Sequence, residues 1–294
     1  MNVLVTGSNG QLGTELRRLA LDSPHHFIFT DINSLPGVET VYLDISDRAS
    51  IDIIAESEKV DLIVNCAAYT DVERAESEID MAMLLNHQAV ENLAGAAASR
   101  DAALIHISTD YIFSGEGNLP IREDAVPAPK GVYGSTKLAG EKAIQKSACR
   151  SVIVRTSWLY SPYGRNFVKT MRRLMQESGQ IRVVYDQVGS PTYAADLADA
   201  LMQIIQGPRI EGKAVYHYSD EGAVSWYDFA QAIREISGFD CKIIPCRSED
   251  YPTKARRPHY SVLDKSAIKR AYRLEIPYWR DALARCIDIM ENGL

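Results

Sequence analysis

The sequence predicts an α/β fold: a doubly wound parallel sheet with a smaller C-terminal α/β lobe packed over its strand ends. Three observations carry that prediction. Short apolar runs recur through the first half, and they are continuous rather than alternating, as strands buried on both faces must be. Stretches with apolar residues at helical spacing separate them, the βαβ rhythm of a parallel sheet. After about Tyr160 the segments shorten and become less regular, with prolines at Pro162, Pro191, Pro208, Pro245, Pro252, Pro258 and Pro277.

In chain order, residues 2–6 (NVLVT) form the first strand, and a glycine-rich turn follows. From Gln11 to about Asp22, Leu12, Leu16 and Leu19 fall on one helix face. Residues 27–30 (FIFT) and 41–43 read as strands, Ile51, Ile54 and Ala55 as a helix face, and residues 61–65 (DLIVN) as a fourth strand. The Ala/Leu-rich stretch 81–99 reads as helix, 103–108 (ALIHIS) as strand, 137–145 as helix and 151–155 (SVIVR) as strand. Later helices are expected near 166–176, 194–205, 226–236 and 279–290. The expected division is a dinucleotide-binding domain over 1–160, to which some later segments are free to return. Residues 161–294 then form mainly a substrate-binding domain.

The 294 residues suffice for one large or two modest domains, and 46% hydrophobic with 24% charged residues fits a globular chain. Basic residues number 32 against 39 acidic, a net charge of −7 with no basic stripe, which argues against binding along nucleic-acid phosphates. No run approaches the ~20 apolar residues of a membrane span. The opening residues lack the basic segment and cleavage site of a signal peptide, so a cytoplasmic protein is expected. Cys66, Cys149, Cys241, Cys246 and Cys286 are odd in number and scattered, which predicts reduced, mostly buried thiols. Cys241 and Cys246 lie close together, yet no second pair completes a zinc site, and the six histidines form no spaced cluster.

The chemistry concentrates in two constellations. Gly7-Ser8-Asn9-Gly10-Gln11-Leu12-Gly13 lies between the first strand and the first helix. Glycines there let backbone approach a pyrophosphate, and the helix N-terminus supplies N–H donors. The spacing is GxxGxxG rather than GxGxxG. Asp31, at the end of the second strand, is placed to accept from adenosine ribose hydroxyls and would repel a 2′-phosphate, which favours NAD(H). Asp44, after the third strand, is a weaker candidate for the adenine ring.

Tyr133 and Lys137 of YGSTK share one helix face. A neighbouring ammonium favours the phenolate and so eases proton donation to a developing alkoxide. Thr109 of Ser108-Thr109-Asp110 ends the fifth strand, where a hydroxyl points into the ligand crevice and can polarise a carbonyl. Trp158 follows the sixth strand, and aromatic faces suit sugar rings. Arg256 and Arg257 suit a diphosphate.

The order GSNGQLG, DLIVNCAAYTDVERAE, HISTDYIFSG and YGSTKLAGEKA resembles the extended short-chain dehydrogenase/reductases, a Rossmann-type family. The runs RTSWLY, NFVKTM, DQVGSPT and YPTKARRPHYSVL resemble, within them, the branch that reduces dTDP-4-dehydrorhamnose, and the likeness runs nearly end to end. The resemblance implies NADPH or NADH as cofactor and reduction of the C4 ketone of dTDP-4-dehydro-L-rhamnose to dTDP-L-rhamnose. It implies Tyr133 as proton donor, Lys137 as its tuning residue and holder of the nicotinamide ribose, and Thr109 as the polarising hydroxyl. Gly7, Gly10, Gln11, Leu12 and Gly13 would surround the pyrophosphate, Asp31 the ribose, and Asp44 with Ile45 the adenine. Ala67, Ala68, Tyr69 and Thr70 would line the nicotinamide half. Asp110 and Trp158 would face the sugar, and Gln187, Pro191 and Thr192 the nucleotide part of the substrate.

Some such relatives bridge subunits with magnesium through acidic residues. Glu15 sits at the matching place, but the acids around Asp196 do not form the second pair, so no metal site is expected. The partner expected is the dTDP-sugar, with no nucleic acid and no membrane, and a homodimer is left open. Two alternatives stand beside this reading. One is another nucleotide-sugar short-chain enzyme, such as an epimerase, a 4,6-dehydratase or a reductase giving the C4 isomer. The other is a non-catalytic dinucleotide-binding regulatory subunit. A dehydratase needs a second acid after Asp110, and the chain has Tyr111 there.

Overall fold

The structure, a computed structural model, describes residues 1–251 and 253–293. Pro252, inside the YPTKARRPHYSVL run, and Leu294 lie outside the described residues. Six strands of the first half pair in parallel: β1 (Asn2–Thr6), β2 (His26–Asp31), β3 (Val41–Tyr42), β4 (Leu62–Asn65), β5 (Ala103–Thr109) and β6 (Arg150–Thr156). Their spatial order is 3-2-1-4-5-6, the doubly wound order in which ligands bind beyond the carboxyl ends of the strands. The helices between them are α1 (Gln11–Ala20), α2 (Arg48–Ser57), α3 (Val72–Ala75), α4 (Ile79–Met83), α5 (Ala89–Ser99) and α6 (Val132–Lys146).

The continuous apolar runs are what bury this sheet on both faces. Val3, Val5, Val64 and Ile105 pack beneath α1 on one side, while Leu4, Ile63, Leu104 and Ile153 pack beneath α2 and α5 on the other. Each such side chain contributes roughly 1.5–3 kcal/mol by leaving water. Between α4 and α5 the helix widens into a π turn, Leu84–Gln88. Its buried Asn86 accepts from the Tyr69 N–H (2.9 Å) and donates to the Thr136 hydroxyl (3.1 Å), tying the loop after β4 to α6.

Beyond residue 160 the remaining elements in chain order follow β7 (Leu159–Tyr160): α7 (Phe167–Glu177), β8 (Gln180–Val184), β9 (Val188–Gly189), β10 (Thr192–Tyr193) and α8 (Ala194–Gln206). Then come β11 (Lys213–His217), β12 (Val224–Ser225), α9 (Trp226–Ile236), β13 (Lys242–Cys246), α10 (Ser266–Tyr272) and α11 (Trp279–Asn292). Two parts of this half return to the first sheet. β11 pairs with β6 as the seventh strand, and α8 packs Leu197, Leu201 and Ile204 into the core under α1. Elsewhere β8 pairs with β13, and α7, α9 and α11 enclose a second core around Phe229, Tyr160 and Leu283. Residue 160 is therefore not a clean boundary.

Candidate active site

The two constellations gather where β1 and β5 end: the glycine turn runs from β1 into α1, Thr109 ends β5, and Tyr133 and Lys137 stand on the first turns of α6. Gly7 sits at φ +65°, a conformation that favours glycine, and a Cβ there would lie 2.6 Å from the Ala67 nitrogen. The turn thus packs directly on the loop after β4. No side chain caps α1, so its first N–H groups are open to an anion beside the turn. The Asp31 carboxylate closes the other side, accepting from the N–H of Asn9 (3.0 Å) and of Asn33 (2.9 Å). An uncapped helix start, a turn held by glycine at φ +65° and a strand-end acid form a cradle whose donors and open backbone fit a dinucleotide.

A buried polar chain sets the loop after β4. The Thr6 hydroxyl donates to Asn65 (2.7 Å), whose amide meets His106 (3.0 Å) and whose carbonyl oxygen accepts from the Ala67 N–H (3.1 Å). Ala67 and Ala68 are half-buried in this loop, and Thr70 is exposed. Tyr69 turns outward, its hydroxyl donating to Glu78 (2.7 Å). After β3, Asp44 accepts from the Ser46 N–H and hydroxyl, while the Ile45 side chain packs into the core and leaves only its backbone toward the surface.

The second constellation converges. Tyr133 and Lys137 stand on α6, and the Thr109 hydroxyl at the end of β5, which donates to Asp110 and accepts from the Tyr111 N–H, lies beside the Tyr133 phenol. Tyr111 meets the Tyr133 ring edge-on, with centroids 5.5 Å apart. Burial pushes the Tyr133 phenol up to about 12, helped by the Asp110 carboxyl and opposed by Thr109. Lys137 does not lower it, because the ammonium points to the Ile107 carbonyl, 2.6 Å away. The expected tuning of the phenol by Lys137 is therefore absent from this arrangement. Burial brings Lys137 itself down to about 8, with Glu141 opposing.

Asp110 is enclosed beside them. Its Oδ1 accepts from Thr109 (3.0 Å), while Oδ2 has no partner among the described residues. Burial raises its carboxyl to about 6, against the pull of the Ser261 and Thr109 hydroxyls.

Other expected residues are held differently. Trp158, at φ +50°, stacks on Trp226 with centroids 3.4 Å apart and rings 6° from parallel. Gln187 is buried and donates to the Ser248 hydroxyl (2.8 Å). Thr192 is enclosed against Thr156 and borders no open space. Arg256 and Arg257 do not act as a pair: Arg256 is exposed, and half-buried Arg257 donates to Glu73 (2.9 Å). The same carboxylate accepts from the Lys254 and Ala255 N–H groups, tying this segment to α3.

Glu15 is buried beside Arg18, and burial raises its carboxyl, as it does that of Asp196 beside Arg285. All five cysteines are free, four of them buried and Cys66 half-buried.

Sequence reasoning missed the support behind these residues. Glu141, one turn beyond Lys137 on α6, accepts from the Ser108 hydroxyl and pairs with buried Arg155 of β6 at 2.8 Å. The i, i+4 spacing from Lys137 was the available signal. Arg17, half-buried against the glycine turn, carried none beyond its place on α1.

Comparison with known proteins bears on what this edge does. The dTDP-4-dehydrorhamnose reductase of Escherichia coli (strain K12) is 40% identical over 98% of this chain and 97% of its own length. The spore coat polysaccharide biosynthesis protein SpsK of Bacillus subtilis (strain 168) is 40% identical over 96% of this chain and 95% of its own length. The crystal structure of Bacillus anthracis dTDP-4-dehydrorhamnose reductase in complex with NADP is 35% identical, with a TM-score of 0.88 over 97% of this chain and 98% of that one. A family model described as the RmlD substrate binding domain matches residues 1–292, and the chain belongs to that family.

Proposed function

We propose that this chain reduces the C4 ketone of dTDP-4-dehydro-L-rhamnose to dTDP-L-rhamnose with NADPH or NADH, as a cytoplasmic enzyme. The observation that carries the reading is the convergence of the Thr109 hydroxyl, at the carboxyl end of β5, on the Tyr133 phenol of α6, with Lys137 one helical turn on. When bound, the dinucleotide supplies the hydride. The chain's own residues do the rest. Thr109 holds the ketone oxygen, Tyr133 gives it a proton, and the Lys137 ammonium, held on the Ile107 carbonyl, serves as the contact to the nicotinamide ribose. A phenol held up at about 12 is fully protonated near neutrality, as a donor must be. Gly7, Gly10, Gln11, Leu12 and Gly13 hold the pyrophosphate, and Asp31 the ribose.

Asp44 and the Ile45 backbone flank the adenine, and Ala67, Ala68, Tyr69 and Thr70 line the nicotinamide half. Asp110, Trp158, Gln187, Arg256 and Arg257 serve the sugar nucleotide. Residues 1–160, completed by β11 and α8, form the dinucleotide half. The remainder forms the half that holds the dTDP-sugar. A 4,6-dehydratase is disfavoured, because Tyr111 stands edge-on to Tyr133 where its second acid would be.

The test is oxidation of NADPH and NADH by the purified protein with enzymatically generated dTDP-4-dehydro-L-rhamnose. Substrate-dependent oxidation with dTDP-L-rhamnose as product is expected. Tyr133→Phe should lower kcat by about 10²–10⁴-fold while dinucleotide affinity stays within a few-fold. Unchanged turnover in that variant would remove Tyr133 from the reaction.

A further inference from the structure

Asp31 argues on charge alone for an unphosphorylated ribose. Its surroundings complicate that. Arg17, on the second turn of α1, reaches back over the same turn that Asp31 holds. Its guanidinium lies 4.2 Å over the Phe29 ring of β2, which fixes it as a flat platform at the rim. Nη1 donates to the Glu39 carbonyl (2.8 Å), and Nη2 reaches the Ser8 hydroxyl (3.1 Å), the Asn9 side-chain oxygen (3.3 Å) and the Thr40 hydroxyl (3.4 Å). Asn9 is also the residue whose N–H binds Asp31, so the guanidinium and the carboxylate are one residue apart around the ribose position.

The partners of Arg17 are all neutral. Among the described residues no carboxylate lies within 4 Å of it, whereas Arg155, Arg257 and Arg285 each hold one at 2.9 Å or less. Burial acts against its charge, and the more distant Glu39 and Asp31 only partly offset this. A half-buried guanidinium held by carbonyl and hydroxyl oxygens has unspent charge and a planar fork suited to a phosphate. Two residues near it add donors of the right kind from accessible positions: the hydroxyl of Thr40 and the side-chain amide of exposed Asn33 at Asp31, whereas Ser8 is fully enclosed and only steadies the guanidinium from below. Both oxygens of Asp31 are already engaged by backbone N–H groups, which moderates its repulsion of a second anion.

We propose that Arg17 receives the 2′-phosphate of NADPH, with Thr40 and Asn33 beside it, so that the rim of Asp31 accepts the phosphorylated and the unphosphorylated dinucleotide alike. The proposal rests on the reading of Gly7–Gly13 and Asp31 as the adenosine end of a dinucleotide site. The competing role for Arg17 is mechanical: a clamp that only ties the loop at Glu39 and Thr40 to the glycine turn.

The experiment is equilibrium binding of four probes, NADPH, NADH, 2′,5′-ADP and 5′-AMP, to the full chain and to Arg17→Gln and Arg17→Lys. In Arg17→Gln, NADPH and 2′,5′-ADP are expected to weaken by about 10- to 100-fold, as for a lost hydrogen bond to a charged group. NADH and 5′-AMP should stay within about threefold. Arg17→Lys should recover part of the loss, and added salt should erode the NADPH advantage in the parent only. Equal weakening of NADPH and NADH would establish the clamp and overturn the proposal, as would no change in either. If the parent binds none of the four probes, the dinucleotide reading itself fails, and the 2′-phosphate site falls with it.

Discussion

Lys137 joins burial and charge in one side chain. Its ammonium is enclosed on the Ile107 carbonyl, and burial lowers its proton affinity to about 8. The sign follows directly: the charged form is complete well below that value and lost as pH rises through it, more than two units earlier than for a free lysine. The kcat/KM profile is therefore expected to fall on the alkaline side with an apparent pKa near 8. Lys137→Arg, which stays protonated, should flatten that limb if it retains activity. A limb that persists unchanged would assign the titration elsewhere. At this scale the sequence marked the candidate residues but not their surroundings. Tyr133, Lys137 and Thr109 were legible from type and spacing. That Lys137 turns to a backbone oxygen rather than to the phenol depends on where β5 ends relative to α6, which no local pattern encodes.

Helix α6 and strands β5 and β6 behave as a bolted unit. Glu141 receives the Ser108 hydroxyl from β5 and two guanidinium nitrogens of Arg155 from β6, at 3.0 and 2.8 Å. His217 of β11 closes the group at 3.3 Å from Arg155, kept neutral because burial, with Arg155 adding, holds it down at about 3. Breaking a buried pair leaves a bare charge, so Glu141→Gln should lower stability by about 3–5 kcal/mol, read from denaturant unfolding. A loss under 1 kcal/mol would show that water reaches Arg155 readily. The elements themselves were mostly readable. β1, α1, β4, β5 and α9 appear within a few residues of expectation, because continuous apolar runs and amphipathic stretches specify them locally; at α9, Ser225 and Asp228 add a capping box. The two-residue strands β7, β9, β10 and β12 were not readable, since their pairing is imposed by tertiary neighbours rather than by any run of their own.

Across the whole molecule, the two halves are stitched at the glycine turn. The Gln11 side chain accepts from Ser161 (3.2 Å) and from Asn166 (2.9 Å), whose own oxygen caps α7 by accepting from the Lys169 N–H. Asn166→Asp keeps that capping acceptor and removes the donor to Gln11. Because the same amide also donates to the Ser161 and Tyr163 carbonyls (2.8 and 3.3 Å), thermal stability should fall too; KM for the sugar nucleotide should rise several-fold while NADH affinity holds within about threefold. An unchanged KM would mean the contact does not set how the halves meet. The link was invisible in the sequence, because its members lie some 150 residues apart.

The return of β11 to the first sheet bears on how the chain is made. β6 emerges from synthesis with Val152 and Val154 in place and one hydrogen-bonding edge open, and its partner follows about 60 residues later. At ordinary elongation rates that is roughly 3–12 s in which a nascent apolar strand is uncovered on the ribosome. α8 arrives first to cover the face under α1, but only β11 closes the edge. Halting translation between Gln206 and Lys213 would thus release a polypeptide that has nearly every helix of its nucleotide half and still invites sticking to a second nascent copy.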